Sequence, residues 1–369
     1  MRSFDYTKYK TCLWDNEILN YLSQIHEYKG RQELFLTQKP ADVERLIDFA
    51  KVESIESSNR IEGIVTTSTR IRQLAKEKTL PRNRDESEIA GYRDVLNTIY
   101  ENYEYIELKS SIILQLHRDL MKYAGIGNGG KYKSTQNYIK ATKADGIEVI
   151  RFTPVPPYQT ESCINELCDS FNVMIGDGSV DPLILIPVFI HDFLCIHPFN
   201  DGNGRMSRLL TLLLLYRSGY PIGRYISIEK HIEKTKEAYY YALGVASEGW
   251  HEEEDDPVVF VKYMLGVILA CYREFDGLTR IITYTKVISE SAKRNRTVTV
   301  RNKAYVIVKA SVDSRIGKFT KREIVSICPS IGEKSVEAAL KLLLDEGYIS
   351  KHGSGKGTFY SKCPSNTIT

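Results

Sequence analysis

The sequence predicts a mainly α-helical protein that carries one inserted β-hairpin and ends in a small α+β domain. Through about the first 290 residues, apolar side chains recur at three- and four-residue spacing, as in amphipathic helices. Only one region of that length breaks the pattern, and the last 70 or so residues change to short helical and alternating segments. A chain of 369 residues suits one large domain and one small domain.

The predicted helices of the large part follow one another along the chain. They span residues 41–62, 86–105, 110–123, 161–175, 183–196, 204–216 and 257–280. Asp256-Pro257 marks the start of the last one, with a capping Asp before a Pro at the first helical position. Between Gly125 and Pro157 a hairpin is predicted, because β-type residues flank an Asp145-Gly146 turn.

Residues 293–300 are polar and basic, and they predict a link between domains. Helices are predicted after it over 303–311, 320–328 and 332–346, and strands over 348–351 and 358–362. Three helices followed by a glycine-tipped hairpin are typical of a winged helix. We therefore predict three domains, at residues 1–85, 86–292 and 293–369.

Charge is uneven along the chain. The total is +3, but residues 293–369 carry 15 basic and 6 acidic side chains, a net of +9, which leaves −6 for residues 1–292. A basic winged helix could contact DNA, with Lys356 in the wing, although Glu333 and Glu337 on the third helix would repel phosphate. Docking of a protein partner and formation of a homodimer are equally open.

Composition excludes several classes of protein. With 42% hydrophobic and 26% charged residues, the chain is expected to be globular, not disordered or collagen-like. The longest apolar runs are far short of the ~20 residues that span a bilayer, and the N-terminus lacks an apolar signal region. We expect a cytoplasmic protein without membrane contact. The seven cysteines form no C-x-x-C pair, which argues against a disulfide framework and a structural zinc site.

One short stretch carries the chemistry, His197-Pro-Phe-Asn-Asp-Gly-Asn-Gly-Arg-Met-Ser-Arg208. Its glycines allow a tight turn directly before a helix, whose free N–H groups form an anion site. Arg205 and Arg208 share one helical face and offer two guanidinium groups to a polyphosphate. Asp201 is the ligand type that Mg²⁺ prefers beside phosphates, and His197 can take a proton near neutral pH. Together these residues predict a phosphate-transfer site.

The same stretch matches H-x-F-x-[D/E]-G-N-G-R-x-x-R at every specified position, and by this signature the chain resembles Fic-domain proteins. The resemblance implies a Fic helical bundle with a β-hairpin flap, over about residues 40–290. Most members transfer AMP from ATP to a hydroxyl side chain of a target protein. We therefore expect an adenylyltransferase that modifies Ser, Thr or Tyr of targets and of itself, and releases pyrophosphate.

The resemblance also assigns roles. His197 would be the general base, Asp201 would hold Mg²⁺, and Asn203 would bind the α-phosphate with the loop N–H groups. Phe199 would anchor the loop in the core. The positions that it assigns to ATP binding are Phe199, Asn200, Asp201, Gly202, Asn203, Gly204, Arg205, Arg208, Tyr239, Tyr240 and Ser247. The two tyrosines could pack on adenine or only in the core, and Ser247 stands where relatives often carry Asn.

His191 is interpreted as a structural histidine, since no third metal ligand has a matching spacing.

A second stretch, Ser58-Asn-Arg-Ile-Glu62-Gly63, resembles the Fic inhibitory motif [S/T]-x-x-x-E-[G/N]. This resemblance implies that Glu62 pairs with Arg208 and places negative charge where the γ-phosphate would sit. The flap would begin near Gly130 and pair with the backbone of a target, or serve only as a structural hairpin.

Two other functions stay open: removal of AMP from a modified protein by the same site, and a DNA-binding regulator that senses ATP without transfer.

Overall fold

The computed structural model describes residues 2–363 except 39, 78, 126, 128, 143–147, 295–299, 314–316 and 329–330. The chain divides into two compact units, Met1–Tyr272 and Arg273–Thr369. The predicted Asp145-Gly146 turn and most of the predicted linker at 293–300 lie outside the described residues, as does the side chain of Lys356. The proposed domain limits at 85/86 and 292/293 stay predictions.

The first unit opens with a short 3₁₀ turn at Tyr6–Lys10 and a series of helices. These are α1 (Asn16–Gln38), α2 (Pro40–Ile61), α3 (Ser68–Ala75), α4 (Arg84–Asn102) and α5 (Ser110–Leu120). The sequence did not predict α1 or α3. Along α1 the buried Ile18, Ile25 and Phe35 and the half-buried Tyr21, Leu22 and Tyr28 recur at three- and four-residue spacing. The sequence therefore carries a helical pattern there that the prediction missed.

The predicted hairpin is confirmed. Strands β1 (Ile139–Thr142) and β2 (Glu148–Phe152) pair antiparallel, with Lys140 opposite Ile150 and Thr142 opposite Glu148. The register shifts between Ile139 and Lys140, which is the kind of irregularity that bends a strand.

The centre of this unit is a fully buried helix. After the hairpin come α6 (Pro157–Asp177), α7 (Pro182–Ile196) and α8 (Asn203–Arg217). Asp181 caps α7 by accepting a hydrogen bond from the Leu183 N–H at 2.8 Å, and Pro182 occupies the first turn. Every residue from Leu183 to Ile196 is buried, so α7 provides a rigid base for the loop that follows it.

Three more helices follow α8, and the last of them extends beyond the first unit. They are α9 (Ile228–Lys234), α10 (Lys236–Ala246) and α11 (Val258–Arg294). Asp256 caps α11, as predicted, by accepting from the Val258 N–H at 2.9 Å. The helix extends past the predicted end near residue 280.

The second unit has the element order that the sequence predicted. Its elements are α12 (Val300–Asp313), α13 (Lys321–Ile327), α14 (Glu333–Asp345), β3 (Ile349–His352) and β4 (Phe359–Lys362). A capping box between Thr320 and Glu323 starts α13. Its core contains Ile307, Val308, Phe319, Ile324, Val336, Leu340 and Leu343. The fold class, helical with two small hairpins, is therefore confirmed.

All seven cysteines are free thiols. Within the described part of the chain, no helix combines the length and the apolar character that crossing a bilayer requires.

Candidate active site

The loop between α7 and α8 turns at two left-handed residues. His197 closes α7 with φ 49° and ψ 64°, and its N–H donates to the Phe193 carbonyl at 3.0 Å. Few residues other than glycine adopt this conformation, so surrounding contacts must hold it. Gly202, with φ 83°, starts α8. The two turns present His197 and the beginning of α8 to the same cavity.

The α8 N-terminus is chemically open. Among the described residues, no side chain caps it, so its first N–H groups lack a helical acceptor. Asn203, Gly204 and Arg205, which form this first turn, all line the cavity. A helix N-terminus with free N–H groups and a positive dipole attracts anions such as phosphate.

The cavity has a volume of about 330 Å³ and contains most of the residues that the sequence singled out. Those that line it are Glu62, His197, Asn200, Asp201, Gly202, Asn203, Gly204, Arg205, Arg208, Tyr239, Tyr240 and Ser247. The other three predicted positions do not line the cavity: Phe199 and Ser58 are buried behind it, and Gly63 ends the turn after α2 with φ 80°.

The His197 side chain could accept a proton at one ring nitrogen. Its Nδ1 lies 3.2 Å from the Leu194 carbonyl, so Nδ1 carries the proton and Nε2 keeps its lone pair. Burial lowers the pKa of His197 to about 4. The imidazole is therefore neutral at pH 7, as a general base must be.

Arg205 is almost completely buried, with 1% of its side chain exposed. Its Nη2 contacts Glu88 Oε2 at 2.9 Å and lies 3.5 Å from Asp201 Oδ1. Its Nε and Nη1 have no hydrogen-bond partner within the described residues. Buried donors without an acceptor are costly, so these two nitrogens suit an anionic ligand.

Asp201 offers the carboxylate that a metal would need. Its side chain is 47% exposed and faces the cavity, while Oδ1 accepts the Gly202 N–H at 2.6 Å. Mg²⁺ beside phosphates commonly uses one or two protein carboxylates together with phosphate oxygens and waters. The donor set therefore fits Mg²⁺ only as a partner of a bound nucleotide.

Glu62 lines the same cavity and pairs with Arg208 of α8. Its Oε1 accepts from Arg208 Nη2 at 2.7 Å. Ser58 accepts from the same guanidinium, with its Oγ from Nε at 2.8 Å and with its carbonyl from Nη2 at 2.9 Å. Burial acts to raise the pKa of Glu62, but the charge and hydrogen bond of Arg208 outweigh it and hold the pKa below its usual range. The carboxylate is thus ionised at pH 7.

Glu62 also lies directly on the first turn of α8. A Cβ atom at Gly204 would stand 2.2 Å from Glu62 Oε1, so only glycine permits this approach. The Glu62 carboxylate therefore lies against the first turn of α8.

Asn203 and Phe199, two of the predicted positions, hold the loop together by hydrogen bonds within it. The Asn203 Oδ1 accepts the Phe199 N–H at 2.9 Å, and its Nδ2 donates to the Phe199 carbonyl at 2.7 Å. The Phe199 ring is buried and stacks on His117 with centroids 3.6 Å apart. The amide of Asn203 is therefore engaged with the main chain of the loop.

Two tyrosines of α10 and the serine that follows this helix form another part of the cavity lining. Tyr239 is buried against Phe260 and Tyr263, while Tyr240 borders the cavity with more exposure. Ser247 Oγ donates to the Leu243 carbonyl at 2.6 Å and lies 3.3 Å from His191 Nε2. Tyr239 thus also serves core packing, the alternative that the sequence left open.

Sequence reasoning missed several contributors. Glu88, His117, Lys133 and Asn137 contact the loop or its arginine across 60 or more residues, and no motif marks them. From the hairpin, Ile139, Arg151 and Phe152 line the cavity, and Arg151 donates to the Tyr240 carbonyl. Arg151 is a cationic residue inside the predicted flap, and this was the sign in the sequence that the hairpin could contribute to the cavity.

His191 has two acidic neighbours that spacing could not reveal. Ligand atoms of His191, Asp192 and Asp255 lie within 4.8 Å of one another. Arg2 is ion-paired to both carboxylates, and Asp192 also accepts from Tyr6 and Trp250. A guanidinium thus already supplies positive charge to this cluster.

Comparison with known proteins identifies part of the chain. Residues 107–215 match the family model described as Fic/DOC family. Protein adenylyltransferase fic-1 of Caenorhabditis elegans is 30% identical over 184 residues, 49% of this chain and 32% of that protein. Protein adenylyltransferase Fic of Nematostella vectensis is 30% identical over 220 residues, 56% of this chain and 46% of that protein. The chain therefore spans about a third to a half of these relatives.

Solved structures share the fold. A Fic family protein from Desulfovibrio desulfuricans G20 superposes with a TM-score of 0.59 at 20% identity, covering 97% of this chain and 99% of that one. Residues 134–508 of C. elegans Fic-1 give a TM-score of 0.55 at 21% identity, covering 71% and 73%.

Proposed function

Because this chain carries a Fic domain, we propose that it is an autoinhibited protein adenylyltransferase that transfers AMP from ATP to a hydroxyl group. The observation that carries the proposal is one cavity that combines a neutral His197, the uncapped α8 N-terminus and Arg205 with unpartnered nitrogens. A base, an anion site and a cationic donor are the parts that phosphoryl-type transfer requires. The names of the similar proteins support the same activity.

The reaction would use these residues in sequence. His197 Nε2 would take the proton of the target hydroxyl while that oxygen attacks the α-phosphorus in line. The bond from the α-phosphorus to the bridging oxygen would break, and pyrophosphate would leave. The N–H groups of Asn203 and Gly204 would stabilise the charge on the α-phosphate. Arg205 would hold the β- and γ-phosphates, and Arg208 the γ-phosphate once Glu62 has moved.

The remaining predicted positions would shape the cavity. Asn200 would border the phosphates, while Phe199 would fix the loop. Tyr239, Tyr240 and Ser247 would form the adenine side. Asp201 would hold Mg²⁺, which, when bound, would neutralise charge on the phosphates and on the departing pyrophosphate.

Inhibition would follow from the Glu62 contacts. Ser58 and Glu62 satisfy Arg208, and the carboxylate sits on α8 at Gly204. A γ-phosphate at Arg208 would meet that negative charge, so ATP would bind with its α-phosphate out of line. Gly63, with its positive φ, would let the chain turn away just after Glu62.

The experiment uses ATP labelled at the α- or at the γ-phosphate, with Mg²⁺. We expect Glu62→Gly to raise self-labelling from α-labelled ATP about tenfold or more, since a charge-assisted contact is worth about 1.5–3 kcal/mol. His197→Ala should abolish labelling in either background. Glu101→Gly, a change at an exposed position in the last turn of α4, is the matched control. Labelling from γ-labelled ATP would contradict AMP transfer.

Removal of AMP is the alternative within the same site, because an ionised Glu62 could activate water. AMP-modified Glu62→Gly protein, freed of ATP, would serve as substrate for added wild-type protein. Our proposal expects no release of AMP. Release by wild type and none by Glu62→Gly would favour the alternative.

A role for the second unit in DNA binding is a separate proposal. Lys321 pairs with Glu333 at 3.2 Å and with Glu337 at 2.6 Å, so the two acidic side chains that argued against DNA contact are partly neutralised. A mobility shift of the full chain across a salt series tests it, since phosphate contacts weaken steeply with salt. Binding that is absent or insensitive to salt would exclude this role, and covalent AMP transfer would exclude a regulator that only senses ATP.

A further inference from the structure

The four consecutive main-chain carbonyls of residues 196–199 each accept a hydrogen bond from Lys133 or Asn137, and the Phe199 carbonyl also accepts from Asn203 Nδ2. Lys133 Nζ donates to the Ile196 carbonyl at 3.0 Å, and the Lys133 N–H donates to the Pro198 carbonyl at 2.8 Å. Asn137 Nδ2 donates to the His197 carbonyl at 3.1 Å and to the Phe199 carbonyl at 3.0 Å. Residues 196–199 are therefore held from one segment.

Lys133 and Asn137 also hold each other. Lys133 Nζ donates to Asn137 Oδ1 at 2.8 Å, which fixes the amide so that Nδ2 faces the loop. We call this pair the loop brace. The brace leads directly into the hairpin, because β1 begins at Ile139. Gln136 Nε2 links the two ends of that hairpin by donating to the Asn137 and Pro154 carbonyls.

The ammonium group stands at the end of α7, where it has a physical role. The last carbonyls of a helix lack intrahelical donors and carry partial negative charge. Lys133 Nζ satisfies the carbonyl of Ile196, the last residue of α7. The next residue is His197, in its left-handed conformation.

Burial of this lysine is costly, which argues for a role beyond packing. Only 3% of Lys133 is exposed, and burial lowers its pKa to about 8, so the group is mainly charged at pH 7. An apolar side chain of similar length would avoid the desolvation of an ammonium group. The cost is understandable if the loop geometry depends on the bonds that only this group makes.

We propose that Lys133 and Asn137 are positioning residues for AMP transfer, which hold residues 196–199 so that the His197 imidazole faces the α-phosphate. This inference rests on the proposed function. Neither side chain lines the cavity, so both would act through the main chain of the loop. Their loss should impair the chemical step and leave ATP binding nearly intact.

The test introduces Lys133→Met and Asn137→Ala into the Glu62→Gly protein. Met keeps the length of the side chain and removes the ammonium group. Self-modification is measured over a range of ATP concentrations, and hydrogen exchange is followed in peptides that cover residues 194–206. Lys122→Met, which removes an exposed ammonium group in the turn after α5, is the matched control.

We expect the maximal rate to fall about 10- to 100-fold, since small misplacement of a catalytic group has effects of this size. The ATP concentration at half-maximal rate should change less than about threefold, because the ATP contacts remain. Exchange in residues 196–204 should become about tenfold faster or more. Lys122→Met should change neither quantity.

Three results would overturn the brace. One is an unchanged maximal rate, the second is a rise only in the ATP requirement, and the third is unchanged exchange in the loop. If Lys133→Met does not fold, Asn137→Ala decides by the same criteria. If Glu62→Gly itself transfers no AMP, the proposed function fails, and exchange alone then decides: faster exchange confined to the loop supports the brace, and equal exchange contradicts it.

Discussion

His117 shows how one side chain joins separate parts of the site. Its Nδ1 accepts the Gly130 N–H at 3.1 Å, its Nε2 lies 3.0 Å from the Asp201 carbonyl, and its ring stacks on Phe199. Because Nδ1 accepts, the proton must be on Nε2, and the ring must be neutral. Protonation of Nδ1 would break the bond to Gly130.

This arrangement predicts acid sensitivity. Burial, which outweighs the favourable bond to the Asp201 carbonyl, lowers the pKa of His117 from 6.5 to about 4. Below pH 6.5 the unfolded chain therefore binds more protons than the folded one, and stability falls until about pH 4. We expect His117 to contribute on the order of 3 kcal/mol to this loss.

The measurement compares the free energy of unfolding at pH 6.5 and pH 4 for wild type and His117→Gln. The fall should be smaller in the variant, because one buried histidine is missing. An equal fall in wild type and His117→Gln would show that His117 does not titrate as inferred.

At the scale of elements, charged contacts with α9 hold α2 in the position from which we propose that Glu62 inhibits AMP transfer. Glu53 pairs with Lys230, and Arg60 Nη1 contacts Glu233 at 2.9 Å. Lys236, at the start of α10, donates to the Ile61 carbonyl at the end of α2. These contacts lie outside the cavity, and they fix the end of the helix from which Glu62 reaches Arg208.

Weakening this attachment should partly relieve inhibition. The Lys230 and Glu53 side chains are 23% and 18% exposed, and such a pair is worth about 1 kcal/mol. Lys230→Met should therefore raise AMP transfer about two- to fivefold, much less than Glu62→Gly. Lys234→Met, an exposed lysine on the same helix, should leave the rate unchanged. A rate for Lys230→Met no higher than that of Lys234→Met would contradict this role of the attachment.

Elements also differ in how far the sequence could predict them. Buried α7 and the loop after it follow from local patterns, since an apolar run, a capping Asp and two glycines are enough to specify them. The helix α1 was missed although Ile18, Leu22 and Ile25 recur at helical spacing, so this omission reflects the reading of the pattern and not its absence. Glu88, His117 and Lys133 act through contacts that are distant in sequence, and a single chain carries no local sign of such pairings.

At the scale of the whole molecule, two compact units with opposite charge balance make up the chain. Residues 1–292 carry −6 and residues 293–369 carry +9, so the excess of basic side chains lies outside the part of the sequence that lines the cavity. The large unit holds every residue assigned to AMP transfer. We therefore expect AMP transfer to persist when residues of the second unit are substituted.

We propose that the cavity transfers AMP and that Glu62 restrains this transfer. The most direct measurement is the intact mass of Glu62→Gly protein after incubation with ATP and Mg²⁺, beside wild type and Glu62→Gly/His197→Ala. We predict that Glu62→Gly gains the mass of one or more AMP groups, that wild type gains far less, and that the double variant gains none. Equal gains in wild type and Glu62→Gly, or a gain that persists without His197, would contradict the account.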